Sequence, residues 1–195
     1  MSAAIPGLVL AAGASRRMGR PKALLPLGAP GQPFARRICD TLVAAGVAPI
    51  VVITRSDLRD QLAGVLMDVV LVVNADPDRG QLSSLLAGLD ALGSPEAALV
   101  TLVDLPLIQT ATVASLLAAW HATHAPLVRP LHQGRHGHPV IFGAALLDAL
   151  RSADADLGAK PVVHRFLADA VSVPVDDCGT LEDIDTPESY DRLTR

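Results

Sequence analysis

Four cations follow a short apolar run near the beginning of the chain, in the segment LVLAAGASRRMGRPK (8–22). Small residues in a turn allow backbone N–H groups to approach an anion closely. The charge to neutralise a polyphosphate comes from Arg16, Arg17, Arg20 and Lys22. Pro21 fixes the backbone before Lys22, whose compact ammonium suits a phosphoryl group that moves during a reaction. The segment predicts a phosphate-binding loop, although a surface turn with solvated cations has the same composition.

The glycine spacing of this loop differs from that of the better-known nucleotide-binding loops. Five residues separate Gly13 from Gly19, and Lys22 comes three positions later. A Walker A loop needs four residues between its glycines, followed directly by Lys and Ser or Thr. The dinucleotide fingerprint G-x-G-x-x-G is also missing from the sequence. A P-loop NTPase is therefore excluded, and a dinucleotide-dependent oxidoreductase has little support.

Three aspartates are candidates for a metal site. Asp104 follows the apolar run 99–103, and the Leu-Pro after it ends the strand, so one carboxylate is presented at a strand end. Asp183 and Asp185 are two positions apart and share a face of an extended segment, so one of them could join Asp104. Carboxylate oxygens are hard ligands that favour Mg²⁺ over zinc. Asp185 has an alternative role, as a capping residue before the C-terminal helix.

The histidines offer a second, less favoured metal site. His136 and His138 alternate along an extended segment, and His121-x-x-His124 shares a helix face. No thiolate and no H-E-x-x-H context accompanies them. A structural zinc site drawn from His121, His124, His132, His136 and His138 stays open at this point.

Composition limits the class of protein. The chain has 195 residues, half of them apolar, which is enough for one sizeable core and predicts a single domain over 1–195. A net charge of −4 and 3% aromatic residues disfavour a nucleic-acid surface. Two cysteines without metal spacing suit a reducing cytoplasm, and neither a signal peptide nor a membrane span is expected.

The order of the elements predicts the fold class. Unbroken apolar runs predict buried strands at 7–12, 49–54, 69–74 and 97–103. A helical period of apolar residues predicts helices at 33–45, 56–66 and 83–92. Alternating strands and helices favour a mostly parallel, Rossmann-like sheet in a three-layer α/β/α sandwich. The later part predicts strands at 127–130, 140–142 and 171–175, and helices at 112–123, 144–151, 160–167 and 187–193. If the first and fourth strands are neighbours, the cationic loop and Asp104 face one crevice.

Several segments together resemble the MobA-like NTP transferases. The segment LAAGASRRMGRPKALLPLG (10–28) is similar to their signature loop, and further matching segments follow in order: DPDRGQLSSLLAGL (76–89), VDLP (103–106), GHPVIF (137–142) and DIDTPE (183–188). LAAG rather than LAGG, with GQLSSLLAGL and GHPVIF, is most similar to the molybdenum cofactor cytidylyltransferase branch. The resemblance implies a sheet of the nucleotide-diphospho-sugar transferase type.

The resemblance also implies roles for individual residues. The loop 13–19 would wrap the β- and γ-phosphates, Arg17 would bind the leaving diphosphate and Lys22 would reach the α-phosphate. Asp104 and Asp185 would hold Mg²⁺, so the implied catalytic set is Lys22, Arg17 and Asp104. The implied nucleotide-binding set is Leu10, Ala11, Ala12, Gly13, Ser15, Arg16, Gly19, Gly80 and Ser84. Gly80 and Ser84 would contact the cytosine, unless Gly80 merely forms a turn and Ser83 merely caps a helix.

The acceptor side is implied by the G-H-P segment, in which Gly137 and His138 would bind the acceptor and Arg135 and His136 could bind an anion. No general base is needed, because a phosphate monoester is mostly ionised at neutral pH. The implied reaction transfers CMP from CTP to a phosphorylated acceptor, molybdopterin, with a molybdoenzyme as a possible partner. Alternatives are GTP as donor, a sugar or alditol phosphate as acceptor, or a non-catalytic cofactor-binding chaperone.

Overall fold

A mostly parallel central sheet organises the chain. The computed structural model describes residues 4–155 and 157–194. Its strands, in chain order, are β1 (Gly7–Leu10), β2 (Pro26–Leu27), β3 (Gln32–Pro33), β4 (Ile50–Thr54), β5 (Val70–Val73), β6 (Ala97–Leu102), β7 (Leu127–His132), β8 (Arg135–His136), β9 (Val140–Gly143) and β10 (Val171–Pro174). β2 and β3 form a separate hairpin, and the other strands form one sheet.

The strand order of the main sheet is β10-β7-β9-β6-β1-β4-β5, with β8 added beside β7. β1 pairs in parallel with β4 on one side and with β6 on the other. β9 runs antiparallel to β6 and to β7, whereas β10 is parallel to β7. The predicted parallel sheet is confirmed, and so is the expected contact between the first and fourth strands. The strand order changes direction at β1 and β6, where a crevice opens at the carboxyl ends of the strands.

Helices cover both faces of the sheet, as predicted. They are α1 (Phe34–Ala44), α2 (Arg59–Ala63), α3 (Gln81–Leu92), α4 (Thr110–Thr123), α5 (Ala144–Arg151), α6 (Lys160–Arg165) and α7 (Pro187–Thr194). One apolar core joins the sheet to α1, α2 and α4, and a second joins its other face to α3, α5 and α6. No helix in the described part of the chain has both the length and the apolar character to cross a membrane.

Local turns account for the differences from the predicted elements. The helix predicted over 56–66 is a 3-10 turn followed by the short α2, which ends before Gly64. α3 begins at Gln81, because Gly80 has a φ of +87° and precedes the first helical turn. Ser83 therefore lies inside the helix and does not cap it. The β2–β3 hairpin was not predicted, since two-residue strands are too short to show a period.

A third, smaller cluster joins the two ends of the chain. This cluster, called the Met18 cluster below, consists of Met18, Leu25, Leu27, Phe34, Ile184 and Tyr190. The Tyr190 hydroxyl donates a hydrogen bond to the Pro26 carbonyl at 2.6 Å, and the Tyr190 ring lies 6.0 Å from that of Phe34. Met18 belongs to the loop after β1, and Ile184 lies between Asp183 and Asp185. Their packing holds the cationic loop against the C-terminal aspartates.

Asp177, a buried carboxylate, joins α4 to the segment after β10. Its Oδ2 accepts hydrogen bonds from Gln109 N at 2.9 Å and Thr112 Oγ1 at 2.7 Å, at the beginning of α4. Its Oδ1 accepts from Gly179 N at 3.0 Å. Only 2% of the residue is exposed. Loss of this carboxylate would leave three donors without an acceptor.

We predict that Asp177→Ala lowers the free energy of unfolding by about 3 kcal/mol, because each orphaned buried donor carries a desolvation penalty. Urea denaturation followed by circular dichroism measures the change. The neighbouring Asp176 side chain is fully exposed, so Asp176→Ala is the matched control and should shift stability by less than about 0.5 kcal/mol. Equal effects of the two substitutions would contradict the bridging role of Asp177.

Candidate functional site

The loop after β1 is a compact turn closed on Ser15. The backbone N–H groups of Met18 and Gly19 both donate to the Ser15 carbonyl, at 3.1 and 3.0 Å. The Ser15 hydroxyl accepts from Lys22 N at 3.1 Å. Ser15 and Gly19 have φ angles of +50° and +73°, which fold the chain back on itself. The turn thereby brings Lys22 back beside the carboxyl end of β1.

Lys22 lies between two carboxylates that are far apart in sequence. Its ammonium donates to Asp104 Oδ2 at 2.6 Å and also to Asp185 Oδ1. The three side chains are only 13 to 20% exposed. Arg17 donates to the other oxygen of Asp185 from the solvent side. The structure therefore brings together the predicted catalytic and metal-binding residues.

The charges in this group shift one another's pKa values. Burial disfavours the charged form of Lys22, but the hydrogen bonds to Asp104 and Asp185 and their negative charges outweigh it, so the pKa of the ammonium is raised. Burial would raise the pKa of the Asp185 carboxyl, yet Lys22 and Arg17 hold it below its ordinary value. The ammonium and the Asp185 carboxylate therefore both stay charged at neutral pH.

The two C-terminal aspartates have different surroundings. Asp183 is exposed, and the hydrogen bonds of the Lys22 ammonium go to Asp104 and Asp185. Partial burial and the charges of Asp104 and Asp185 raise the pKa of Asp183. The alternative capping role for Asp185 is wrong, because Thr186 caps α7: its Oγ1 accepts from Ser189 N at 3.2 Å, and its N donates back to Ser189 Oγ.

A cleft opens beside Lys22 and Asp104 at the carboxyl ends of β1 and β6. Its lining includes many predicted nucleotide-binding residues: Leu10, Ala11, Ala12, Gly13, Ser15, Gly80 and Ser84. Gly19 and Arg16 lie outside this lining. Arg16 is exposed and pairs with Asp78 at 3.8 Å, which joins the loop after β1 to the turn before α3. The structure brings most of the predicted nucleotide-binding set to one cleft.

Asn74 orders the side of the cleft formed by α3. Its Nδ2 donates to Ser83 Oγ and Ser84 Oγ at 2.9 and 3.0 Å, and its Oδ1 accepts from Asp76 N. The residue is 6% exposed. Sequence reasoning assigned Asn74 no role, although a polar residue that ends a buried apolar strand is the same signal that identified Asp104.

A second cavity adjoins this cleft and shares Leu10, Gln81 and Leu102 with it. Gly137 and His138, the predicted acceptor-binding residues, line this second cavity. Gly137 packs on the Thr180 carbonyl so closely that a Cβ atom would lie 1.9 Å from its oxygen. Burial lowers the pKa of His138, against the attraction of the nearby Asp104 charge. His138 is therefore neutral at pH 7, beside the carboxylate pair.

The structure gives no support to the histidine zinc site. His121 and His124 both pack against the Trp120 ring, with ring centroids 5.3 and 4.8 Å apart. His132 hydrogen-bonds the backbone near Val175. Among the described residues, no group of three or more His, Cys, Asp or Glu side chains could hold a metal ion.

The residues of the carboxylate pair fit a magnesium ion that arrives with a nucleotide. Asp104 Oδ1 is buried and has no hydrogen-bond partner, although Oδ2 is bound by Lys22. An unpaired buried carboxylate oxygen is unfavourable unless a cation or donor reaches it. Mg²⁺ is commonly held by one or two carboxylates together with substrate phosphates. Asp104 and Asp185 provide such a donor set.

Comparison with known proteins identifies the family. The family model described as the MobA-like NTP transferase domain matches residues 7–171. The chain belongs to this family. The match includes the loop after β1, Asp104 and the predicted acceptor-binding residues Gly137 and His138, whereas Asp185 lies beyond it.

Curated relatives of this MobA-like domain carry several names. The Nicotine blue oxidoreductase of Paenarthrobacter nicotinovorans is 32% identical over 97% of this chain and 96% of its own. A probable molybdenum cofactor guanylyltransferase of Natronomonas pharaonis is 28% identical over 95% of both chains. The molybdenum cofactor cytidylyltransferase of Escherichia coli K12 is 26% identical over 96% and 94%.

A solved structure also matches the MobA-like domain over its length. The crystal structure of Rv0371c from Mycobacterium tuberculosis H37Rv, in complex with manganese, superposes with a TM-score of 0.79. The superposition covers 98% of this chain and 98% of the Rv0371c chain, and the two sequences are 25% identical. The predicted family and fold are confirmed.

We predict that Lys22→Met destabilises the protein by about 1 to 2 kcal/mol at pH 7, because two carboxylates lose their shared cation. The pKa of Asp185 is lowered in the folded state, so its contribution is present above about 3.8, the ordinary value, and is lost as pH falls through the folded value. The difference in the free energy of unfolding between wild type and Lys22→Met should therefore become smaller below pH 4. Urea denaturation at pH 7 and pH 3 measures it.

Arg59→Met is the matched control for this experiment. Arg59 pairs with Asp60 at 3.3 Å, and both side chains are more than half exposed. Exposed pairs contribute little, so this variant should differ from wild type by less than about 0.5 kcal/mol at either pH. If Lys22→Met lowered the free energy of unfolding by the same amount at pH 3 as at pH 7, the assigned ion pair between Lys22 and Asp185 would be contradicted.

Proposed function

We propose that this MobA-like domain transfers CMP from CTP to the phosphate of molybdopterin and releases pyrophosphate. The observation that carries this proposal is the Lys22 ammonium held between Asp104 and Asp185, at the mouth of a cleft lined by the loop after β1. Binding a nucleotide needs no such group beside the phosphates. Transfer needs it, because charge moves from the α-phosphate to the leaving group.

The chain's own residues position the triphosphate. The N–H groups of Met18 and Gly19 bind the Ser15 carbonyl, and the other backbone N–H groups of the loop 13–19 are offered to the β- and γ-phosphates. Arg17 is exposed beside the loop to neutralise the pyrophosphate. An acceptor phosphate oxygen attacks the α-phosphorus and forms the new P–O bond, while the bond from the α-phosphorus to the bridging oxygen breaks. Both bonding electrons leave with pyrophosphate. Lys22 stabilises the charge on the α-phosphate during this exchange.

His138 positions the acceptor and does not act as a base. Its lowered pKa keeps it neutral at pH 7, so its ring can donate one hydrogen bond without attracting a second proton. The attacking phosphate is ionised already at this pH. Mg²⁺, held by Asp104 and Asp185, would polarise the phosphoryl oxygens. The manganese in the related crystal structure supports a divalent cation in this role.

The base is proposed to lie between the end of β1 and the beginning of α3, beside Gly80 and Ser84. The LAAG and GQLSSLLAGL segments, with the cytidylyltransferase among the relatives, favour CTP. GTP is the alternative donor, which the guanylyltransferase relative supports. Both donors use the same phosphate-binding loop and Lys22.

A reduction reaction is a second candidate, because one relative is named an oxidoreductase. The missing G-x-G-x-x-G fingerprint opposes it. Consumption of NADH or NADPH is the observation that this candidate predicts.

The proposed reaction is tested by pyrophosphate release. We expect release with CTP, Mg²⁺ and molybdopterin, a lower rate with GTP, and none with ATP or UTP. Excess chelator should abolish release. Nucleotide binding without release of pyrophosphate would support the alternative of a non-catalytic cofactor-binding chaperone. Oxidation of NAD(P)H in the same preparation, with no pyrophosphate, would support the reductase.

Lys22→Ala should lower kcat by about 100- to 1000-fold, the range for loss of one preorganised transition-state charge. The KM for the nucleotide should change much less. Arg59→Ala, which removes an exposed cation on α2, is the control and should keep wild-type turnover. An unchanged kcat in folded Lys22→Ala protein would remove Lys22 from the mechanism.

A further inference from the structure

The two carboxylates that fit a magnesium ion are bound by cations of the chain itself. The Lys22 ammonium donates to Asp104 Oδ2 at 2.6 Å and to Asp185 Oδ1. Arg17 donates to Asp185 Oδ2, so both oxygens of that carboxylate are in use. Asp104 Oδ1 is buried and has no hydrogen-bond partner. A divalent ion held by both carboxylates therefore has to displace Lys22 or Arg17 from Asp185.

Lys22 is the cation that lies in the position of a bridging ion. Mg²⁺ binds carboxylate oxygens at about 2.0 to 2.1 Å, and the Lys22 ammonium lies 2.6 Å from Asp104 while it also binds Asp185. An ion that joins the two carboxylates would occupy nearly the same place. Two cations so close repel each other, and burial strengthens the repulsion. Arg17 reaches Asp185 from the solvent side, with 73% of its side chain exposed.

Displacement of Lys22 is unfavourable unless an anion receives the ammonium. The Lys22 side chain is 13% exposed, and a buried ammonium without a partner carries a large desolvation penalty. A metal ion on Asp104 and Asp185 would take both acceptors of Lys22 at once. The geometry therefore opposes the binding of a divalent ion alone.

A triphosphate in the cleft would remove this obstacle. Lys22 lines the cleft together with Gly13 and Ser15 of the loop after β1. The Ser15 hydroxyl accepts from Lys22 N at 3.1 Å and fixes the backbone, while the four-carbon side chain of the lysine can turn. Phosphate oxygens in the cleft would give the ammonium new acceptors. The metal would then compensate the charge of the two carboxylates that Lys22 leaves.

We propose that the Lys22 ammonium occupies the position of the divalent ion when no nucleotide is bound, so that metal and triphosphate bind tightly only together. This inference rests on the proposed function for the triphosphate, and it is independent of the base and of the acceptor. Because coupling between two ligands is reciprocal, each ligand raises the affinity for the other by the same factor. Without nucleotide, the carboxylate pair is thereby protected from the transition metals that carboxylates can also bind.

The first test measures Mn²⁺ binding to the full chain without nucleotide, from the EPR signal of the free ion. We expect Lys22→Met to bind Mn²⁺ about 10- to 100-fold more tightly than wild type, a size typical of coupling between two sites. Arg59→Met, which removes an exposed cation on α2, should bind Mn²⁺ as wild type does. Circular dichroism checks that each variant is folded.

Arg17→Met separates occupation of the metal position from an effect of net charge. It removes one positive charge from the same carboxylate but leaves Lys22 between Asp104 and Asp185. The gain in Mn²⁺ affinity should stay below about 5-fold, because Arg17 forms an exposed pair. A gain as large as that of Lys22→Met, or no gain in Lys22→Met, would overturn the inference.

The second test follows the ammonium itself in the wild-type chain. The sequence contains two lysines, Lys22 and Lys160, so the side-chain ammonium region of a ¹⁵N NMR spectrum is simple to assign. We expect Mg²⁺ alone to leave the Lys22 signal unchanged, and Mg²⁺ with tripolyphosphate, a probe that has no base, to shift it. Lys160, an exposed residue on α6 outside the lining of the cleft, is the internal reference. A shift with Mg²⁺ alone, or no shift with both, would contradict the proposal.

The failure of this inference is distinguishable from the failure of the proposed reaction. Tight Mn²⁺ binding to wild type without nucleotide, together with pyrophosphate release, would reject the role of Lys22 in excluding the metal and leave the reaction intact. Coupled binding of Mg²⁺ and tripolyphosphate, without pyrophosphate release from CTP or GTP, would reject the reaction and leave this role of Lys22 intact.

Discussion

The ammonium of Lys22, held between Asp104 and Asp185, is the interaction on which the rest of the site depends. Two carboxylates this close would repel each other without a shared cation, and Lys22 together with Arg17 holds the pKa of Asp185 below its ordinary value against the effect of burial. In the proposed reaction, the same three groups would determine where the triphosphate and its metal lie. The loop after β1, the cleft and the second cavity, which Gly137 and His138 line, are all arranged around them.

Packing provides the precision that this interaction needs. The two apolar cores fix β1 beside β6, and so they fix where the strand-end groups emerge. Neither core reaches the C-terminal aspartates. The Met18 cluster does, because Met18 and Ile184 pack in one small core with Tyr190. The site therefore rests on three apolar clusters, of which the smallest joins the most distant parts of the sequence.

Sequence patterns predicted the features that repeat along the chain. Unbroken apolar runs identified the buried strands, and Asp104 was identified because it follows such a run directly. Single polar residues were missed: Asn74 ends an apolar strand and Asp177 follows β10, and the hydrogen bonds that give them their roles join separate elements of the fold. The role of Asp185 depended on whether Thr186 caps α7, which only the hydrogen bonds show. The role of such a residue depends on which distant residue it pairs with, and the spacing of residues in the sequence does not reveal that partner.

The reversed direction of β9 has a consequence for how this fold diversifies. Because β9 is antiparallel to β6, its beginning and not its end reaches the edge of the sheet at which Asp104 lies, and the β8–β9 connection comes with it. That connection contains Gly137 and His138 and is separate from the loop after β1 that contains Arg17 and Lys22. Substitutions in this connection can therefore reshape one side of the site while the cationic loop is inherited unchanged.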